Sequence, residues 1–129
     1  MSRLLLDTHA FLWWVDDAPQ LGAAARKAIS NANNECYLSI ASCWEMAIKS
    51  SLAKLHLAKP VERFISEQVA ANSFSLLNIE VHHLAKVEKM PLHHRDPFDR
   101  LLIAQALTEK LTILTADGAF AEYGVKVLW

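Results

Sequence analysis

Four acidic residues, Asp7, Glu45, Asp99 and Asp117, carry the most pointed chemistry in this sequence. Each stands at or just past the end of a strand-like run, or near the start of a helix. Asp7 follows Arg3-Leu4-Leu5-Leu6, and Glu45 comes just past Cys36-Tyr37-Leu38-Ser39-Ile40. Asp99 lies in Asp96-Pro97-Phe98-Asp99-Arg100, and Asp117 follows Leu111-Thr112-Ile113-Leu114-Thr115. In an open parallel α/β sheet the carboxyl ends of the strands line one edge, where ligands bind. Acids delivered there by several strands converge, and converging carboxylates repel one another unless protons or cations intervene. A divalent metal is the simplest resolution, which points to metal-dependent phosphoryl transfer.

Each acid also has an ordinary structural account. Asp is a favoured N-cap, so Asp7 can cap the short helix that follows, with Thr8 either orienting it or capping in its place. Ser42 stands three residues before Glu45, the spacing of a capping box. Yet Trp44, Ala47 and Ile48 surround Glu45, and a buried glutamate beside an apolar face needs a partner. Asp96 suits the N-cap of a helix with Pro97 at its first position. That leaves Asp99 as the better ligand, at a helix start that favours negative charge. Asp117, in Thr115-Ala116-Asp117-Gly118, fits an Asx-turn or cap. Capping does not explain why all four fall on one expected edge.

The elements that must position these acids alternate along the chain. Arg3 to Asp7 is short, Leu-rich and unbroken, as for a strand buried on both faces. A short helix over Phe11 to Val15 follows, then a helix within Leu21 to Ala32, a strand at Cys36 to Ile40 and a helix from about Ala41 to Ala53. Pro60 opens a helix running to about Asn72, with Val61, Phe64, Ile65 and Val69 on one face. Ser75 to Ile79 reads as a strand, Val81 to Val87 as a short helix, and Met90 to Asp96 as a polar loop. Pro97 to Leu107 is a strongly apolar helix, Leu111 to Thr115 a strand, and Val125 to Leu128 an edge strand. This alternation with short connections predicts a parallel sheet with helices on both faces.

At 129 residues, read as one domain over 1–129, the chain is long enough for a full core. Its 53% hydrophobic content leaves apolar surface for a partner. A net charge of −1 gives no global attraction for nucleic acid, so polyanion binding would rest on a local basic patch or on metal. Lys49, Lys54, Lys59, Arg95 and Arg100 are the candidates for such a rim, with solvated faces as the default. Only Gly22, Gly118 and Gly124 are present, so no Gly-rich phosphate loop can be built, and a nucleotide cofactor is not expected. Cys36 and Cys43 fit neither a disulfide scaffold nor a zinc spacing and read as buried thiols. No membrane span or signal segment is evident, so a cytoplasmic location is expected.

Four stretches together carry a resemblance: Leu5-Leu6-Asp7-Thr8-His9; Ser42-x-x-Glu45; His94-Arg95-Asp96-Pro97-Phe98-Asp99-Arg100-Leu101-Leu102-Ile103-Ala104-Gln105-Ala106; and Leu114-Thr115-Ala116-Asp117. They resemble a PIN-domain ribonuclease, and more closely the VapC-type toxin of bacterial toxin–antitoxin pairs, from about Arg3 to Leu128. The Asp-Pro-Phe-Asp-Arg stretch is the most specific piece. The resemblance implies a PIN-like three-layer α/β/α sandwich with a mainly parallel, about five-stranded sheet. It also implies an acidic pocket for Mg²⁺ or Mn²⁺ made by Asp7, Glu45, Asp99 and Asp117, with Thr115 as a supporting hydroxyl and Asp96 an additional nearby acid. Arg100 would approach substrate phosphate or, more commonly, pair with a neighbouring acid. The implied activity is endoribonucleolytic hydrolysis leaving 5′-phosphate and 3′-hydroxyl ends, neutralised by a cognate antitoxin. Phe11-Leu12-Trp13-Trp14 is too apolar to be fully exposed and would supply core packing plus a homodimer face or an antitoxin groove.

Three other readings compete. The histidines His9, His82, His83, His93 and His94 raise an acid–base ribonuclease mechanism, although several fall in expected loops, where solvated or RNA-proximal roles are the expectation. An aspartate-nucleophile phosphatase also begins with a strand and an Asp, but its Asp-x-Asp pattern is absent because position 9 is His9. A catalytically silent PIN-like module that binds RNA or protein would be favoured by loss of any of the four carboxylates, and none is lost.

Overall fold

The Leu-rich opening becomes the central strand of a five-stranded, all-parallel sheet in the computed structural model, which describes residues 1–129. In chain order the elements are β1 (Arg3–Leu6), α1 (Thr8–Val15), α2 (Ala23–Ser30), β2 (Glu35–Ser39), α3 (Ile40–Ser51) and α4 (Val61–Asn72). They continue as β3 (Ser75–Leu77), α5 (Val81–Lys89), α6 (Pro97–Glu109), β4 (Thr112–Leu114), a 3₁₀ helix (Gly118–Tyr123) and β5 (Val127–Leu128). The strands lie in the order β3-β2-β1-β4-β5. Leu4 pairs with Cys36 on one side and with Thr112 on the other. The connections therefore run outward from β1 in one direction and then jump to its opposite side. The crevice beyond the carboxyl ends of β1 and β4 is the switch point where such sheets bind ligands.

Successive side chains of a strand point to opposite faces, and β1 is buried on both. Leu4 and Leu6 join a core with Phe11, Ala25, Leu38, Met46 and Ile65, which packs the α1, α2 and α4 side. Leu5 joins a second core with Leu102, Ile103, Ala104, Ile113 and Phe120 on the α6 side. The result is the expected three layers. Helix α6 is buried at every position from Leu101 to Ala106, including Gln105. Gln105 is satisfied by the Ser39 hydroxyl, which donates to its Oε1, and by the Asn78 carbonyl, to which it donates at 3.2 Å. A helix apolar all round belongs between layers rather than on a surface. No helix is long and apolar enough to cross a membrane.

Caps decide most boundary differences from the sequence expectations. The first strand stops at Leu6 because Asp7 caps α1, and the second stops at Ser39 because that side chain caps α3. Pro60 is extended at the N-cap, so α4 begins one residue later, at Val61. Helix α5 runs on to Lys89, and the 3₁₀ helix after Asp117 is an added element. With so few glycines, left-handed helix ends fall to Ser73 and Lys110, both with positive φ. Cys36 is buried and Cys43 half-buried, and burial pushes both thiols up to about 11, so both stay protonated and inert at neutral pH.

Gly22 is required by close packing. A Cβ there would lie 2.5 Å from the backbone carbonyl carbon of Trp129. Trp129 in turn packs edge-on against Trp13 at 5.7 Å between centroids. We predict that Gly22→Ala lowers unfolding free energy by about 1–3 kcal/mol in urea denaturation. In a chain shortened by Trp129, the same substitution should cost little.

Candidate active site

Four elements deliver the acids to the switch point, each by a local rule. Asp7 leaves β1 with its backbone N–H bonded to the Leu114 carbonyl at 3.2 Å, so the end of the central strand is tied to β4. Its side chain caps α1, with Oδ1 accepting the Ala10 N–H at 2.7 Å. The Thr115 hydroxyl donates to the same carboxylate and accepts the Asp117 N–H at 3.1 Å, so one buried hydroxyl links two of the acids. Asp117 caps the 3₁₀ helix, its Oδ1 accepting the Ala119 N–H at 2.9 Å. Asp96 caps α6, its Oδ1 accepting the N–H groups of Phe98 and Asp99, which sets Asp99 in the first turn.

Glu45 is not part of a capping box. Ser39 is the N-cap of α3, so Ser42 and Glu45 are interior helical residues. Buried Glu45 is satisfied on both oxygens: Oε1 lies 2.7 Å from Thr8 Oγ1, and Oε2 is 2.6 Å from Lys49 Nζ. A carboxylate can only accept, so the single Thr8 proton goes to Glu45. Ser42, 3.0 Å from Thr8 Oγ1, then donates to Thr8.

Crowding of like charge shows in the titration of these groups. Burial raises the Asp7 carboxyl above its ordinary value, with Glu45 adding to the rise and the Ala10 and Thr115 bonds opposing it. Asp99 is pushed up to about 7, first by burial and then by Asp96, with Glu45 and Asp7 contributing and His94 opposing. Lys49 is raised chiefly by its bond to Glu45.

His94 is the residue that sequence reasoning missed as part of this centre. Its Nε2 lies 3.1 Å from Asp99 Oδ2 and 3.0 Å from Asp117 Oδ2, and these donor atoms fall within 4.8 Å of one another. The only signal in the sequence was its place two residues before Asp96, and the turn that swings its ring inward leaves no periodic trace.

Other sequence-predicted residues are placed differently from expectation. Arg100 neither faces the pocket nor pairs with an acid: its guanidinium donates to backbone carbonyls, including Pro91 and Val87, each at 3.1 Å. His82 and His83 lie in α5, within the stretch expected to be helical, and His83 is fully buried. Both Nε2 atoms sit 2.9 Å from Glu109 Oε2. His83 Nδ1 accepts the Glu80 N–H at 2.9 Å, so its proton is on Nε2 and that nitrogen is a donor. The trio is a clasp between α5 and α6. Lys59 is engaged with Glu67, leaving Lys54 and Arg95 as exposed members of the expected basic rim.

The aromatic run after Asp7 is largely consumed internally. Phe11 is fully buried, Trp14 Nε1 donates to Asn72 Oδ1 at 2.9 Å, and Trp13 stacks on His9 with centroids 5.2 Å apart. What remains of it, Leu12 and Trp13, lines a groove of about 490 Å³ with Leu55 and Phe64, and this groove also reaches Thr8 and Lys49 beside Glu45.

The raised Asp99 value fixes a sign. A carboxyl that holds its proton more tightly in the folded state stabilises the fold at low pH, and this contribution is lost as pH rises from about 4 through about 7. With EDTA present, Asp99→Asn should therefore gain stability relative to wild type across that window. Paired thermal melts from pH 4 to 8 measure the difference, and a constant offset would refute it.

Comparison with known proteins agrees with this geometry. The PIN domain family matches residues 4–126. Ribonuclease VapC22 of Mycobacterium tuberculosis is 30% identical over 118 residues, which is 91% of this chain and 88% of that protein. Among solved structures, VapBC2 from Rickettsia felis, bound to a DNA fragment from their promoter, superposes with a TM-score of 0.71 at 14% identity, covering 98% of this chain and 97% of that one. FitAcB from Neisseria gonorrhoeae gives 0.68 at 21% identity, covering 98% and 96%. The family match runs from within β1 through β4 and takes in every carboxylate of the site, so the chain belongs to the PIN-domain family.

Proposed function

We propose that residues 1–129 act as a single PIN unit, a metal-dependent endoribonuclease that hydrolyses RNA phosphodiesters in the cytoplasm and is held in check by a cognate antitoxin. The observation that carries this reading is the set of desolvated carboxylates at the switch point. Asp7 and Glu45 are buried, and Asp99 beside them is pushed up to about 7 by burial and by its acidic neighbours. Hard carboxylate oxygens are the donors that Mg²⁺ and Mn²⁺ prefer, so the residues fit such an ion. Asp7, Glu45, Asp99 and Asp117 would hold it. When bound, the cation supplies positive charge to the phosphodiester and the departing oxygen, and it makes water a competent nucleophile at neutral pH.

The protein's own contribution is orientation. Thr115 and the α1 N-terminus fix the Asp7 carboxylate, and Thr8 with Lys49 fixes that of Glu45. Asp96 is occupied with capping and adds negative potential at Asp99. The groove beside Thr8, walled by Leu12, Trp13 and Phe64, suits an apolar face of an antitoxin segment. The VapC22 relative is named a ribonuclease, and the R. felis neighbour is a VapB–VapC complex, which supports both halves of this reading. A homodimer is the expected assembly.

Purified protein should cut a labelled transfer RNA pool with Mg²⁺ or Mn²⁺, leave 5′-phosphate ends, and stop in EDTA. Asp7→Asn and Glu45→Gln should each lower the rate by about 10²-fold or more. If wild type and Asp7→Asn cut equally, the site is not responsible. RNA binding without any cutting would favour the silent binding module.

A further inference from the structure

Asp117 is the most exposed of the four acids, with 44% of its side chain accessible against 24% for Asp99 and 7% for Glu45. It follows β4 in a short turn whose own bonds, Asp117 N–H to Thr115 and Ala119 N–H to Oδ1, fix one oxygen only. Its other oxygen meets His94. We infer that His94 is the positioning residue that ties Asp117 to Asp99, and that Arg100 and Tyr123 hold His94 in place. The inference rests on the carboxylate set being a metal site, and it concerns how the fourth acid is presented to it.

The hydrogen bonds fix what the His94 ring can do. Nδ1 accepts the Asp96 N–H at 3.1 Å, so it carries no proton, and the proton of the ring is on Nε2. That N–H donates to Asp117 Oδ2 at 3.0 Å, and Asp99 Oδ2 lies 3.1 Å from the same nitrogen. In this tautomer Nε2 has no free lone pair, so His94 is a donor to Asp117 and not a ligand beside the acids. The ring also packs edge-on against Phe120 at 5.8 Å, and Phe120 is itself buried.

The segment that bears His94, between α5 and α6, has no helix or strand to hold it. Arg100 takes that role. Nη1 reaches the Pro91 carbonyl at 3.1 Å, the His94 carbonyl at 3.5 Å and Tyr123 Oη at 3.4 Å. Nη2 reaches the carbonyls of Val87 at 3.1 Å and Met90 at 3.5 Å. Tyr123 Oη accepts the N–H groups of His93 and His94, both at 2.8 Å. A guanidinium presents five donors in a fixed fork, which a lysine cannot reproduce. Arg100 is the residue after Asp99 on α6, and Tyr123 ends the 3₁₀ helix that Asp117 begins. The elements carrying the two acids therefore grip the same loop, and the loop returns one imidazole to both, its N–H to Asp117 and its Nε2 within 3.1 Å of Asp99.

Partners that orient a ligand from outside it are typically worth 10–100-fold in metal affinity. Calorimetric titration with Mn²⁺ should show His94→Ala and Asp117→Asn each weakening binding about 10–100-fold, with the double variant no weaker than Asp117→Asn alone. His94→Gln, which restores an N–H at similar reach, should recover part of the loss and guards against misfolding of the alanine variant. Unchanged Mn²⁺ affinity in His94→Ala, or losses that multiply in the double variant, would overturn the inference. A wild type that binds no Mn²⁺ would instead remove the metal reading. The imidazole ¹⁵N–¹H spectrum in EDTA then decides: a protected His94 Nε2–H that shifts in Asp117→Asn and Tyr123→Phe supports positioning, and an Nδ1–H or freely exchanging ring refutes it.

Discussion

Taking carboxylates out of water beside one another is the constraint around which this protein is arranged. Asp7 and Glu45 are buried where the central strand ends, and an ion desolvated there needs compensation from its surroundings. The fold supplies it from every direction. The start of α1 offers an N–H, Thr115 and Thr8 offer hydroxyls, and α3 offers Lys49 one turn beyond Glu45. What remains uncompensated falls on Asp99, whose carboxyl moves up to about 7. An acid cluster held this way is preorganised, because the bonds that orient each carboxylate are already made.

Beneath the acids lies a floor that does not give. Leu4, Leu5 and Leu6 send alternate side chains into two separate cores, and α6 is enclosed from Leu101 to Ala106. Close-packed interiors transmit displacement rather than absorbing it. The helix that carries Asp99 is thus fixed by the same packing that fixes the strand carrying Asp7. The site inherits its rigidity from the apolar cores beneath it.

The parts of this arrangement set by short-range patterns were readable in the sequence. Unbroken apolar runs identified β1 and α6, the Asp96-Pro97 pair marked a helix start, and the acids after strands marked the edge. Competition among neighbouring polar groups blurred the rest. Ser39 and Ser42 are both able to cap, and only backbone geometry gives the role to Ser39. Arg100 sits in a motif rich in acids, yet its fork matches a cluster of carbonyls that no spacing rule reveals. His94 lies in a loop without periodicity, so its reach into the pocket depends on contacts with Tyr123 and Phe120, far along the chain. The helical place of His82 and His83 was legible in the sequence, but the burial of His83 was not. Burial of His83 follows from α5 packing on α6 through Glu109.

The pairing of the first strand with the fourth has a consequence in time. Leu4 is made 108 residues before its partner Thr112. At roughly 5–20 residues per second, β1 waits on the order of 5–20 s at the ribosome before β4 exists to sit beside it. Asp117 and Thr115 arrive later still, so no nascent chain that stops short of Asp117 can bring the full acid set together. Whatever chemistry the pocket performs begins only after Asp117 has been made, which gives a cell that makes a restraining partner a head start measured in seconds.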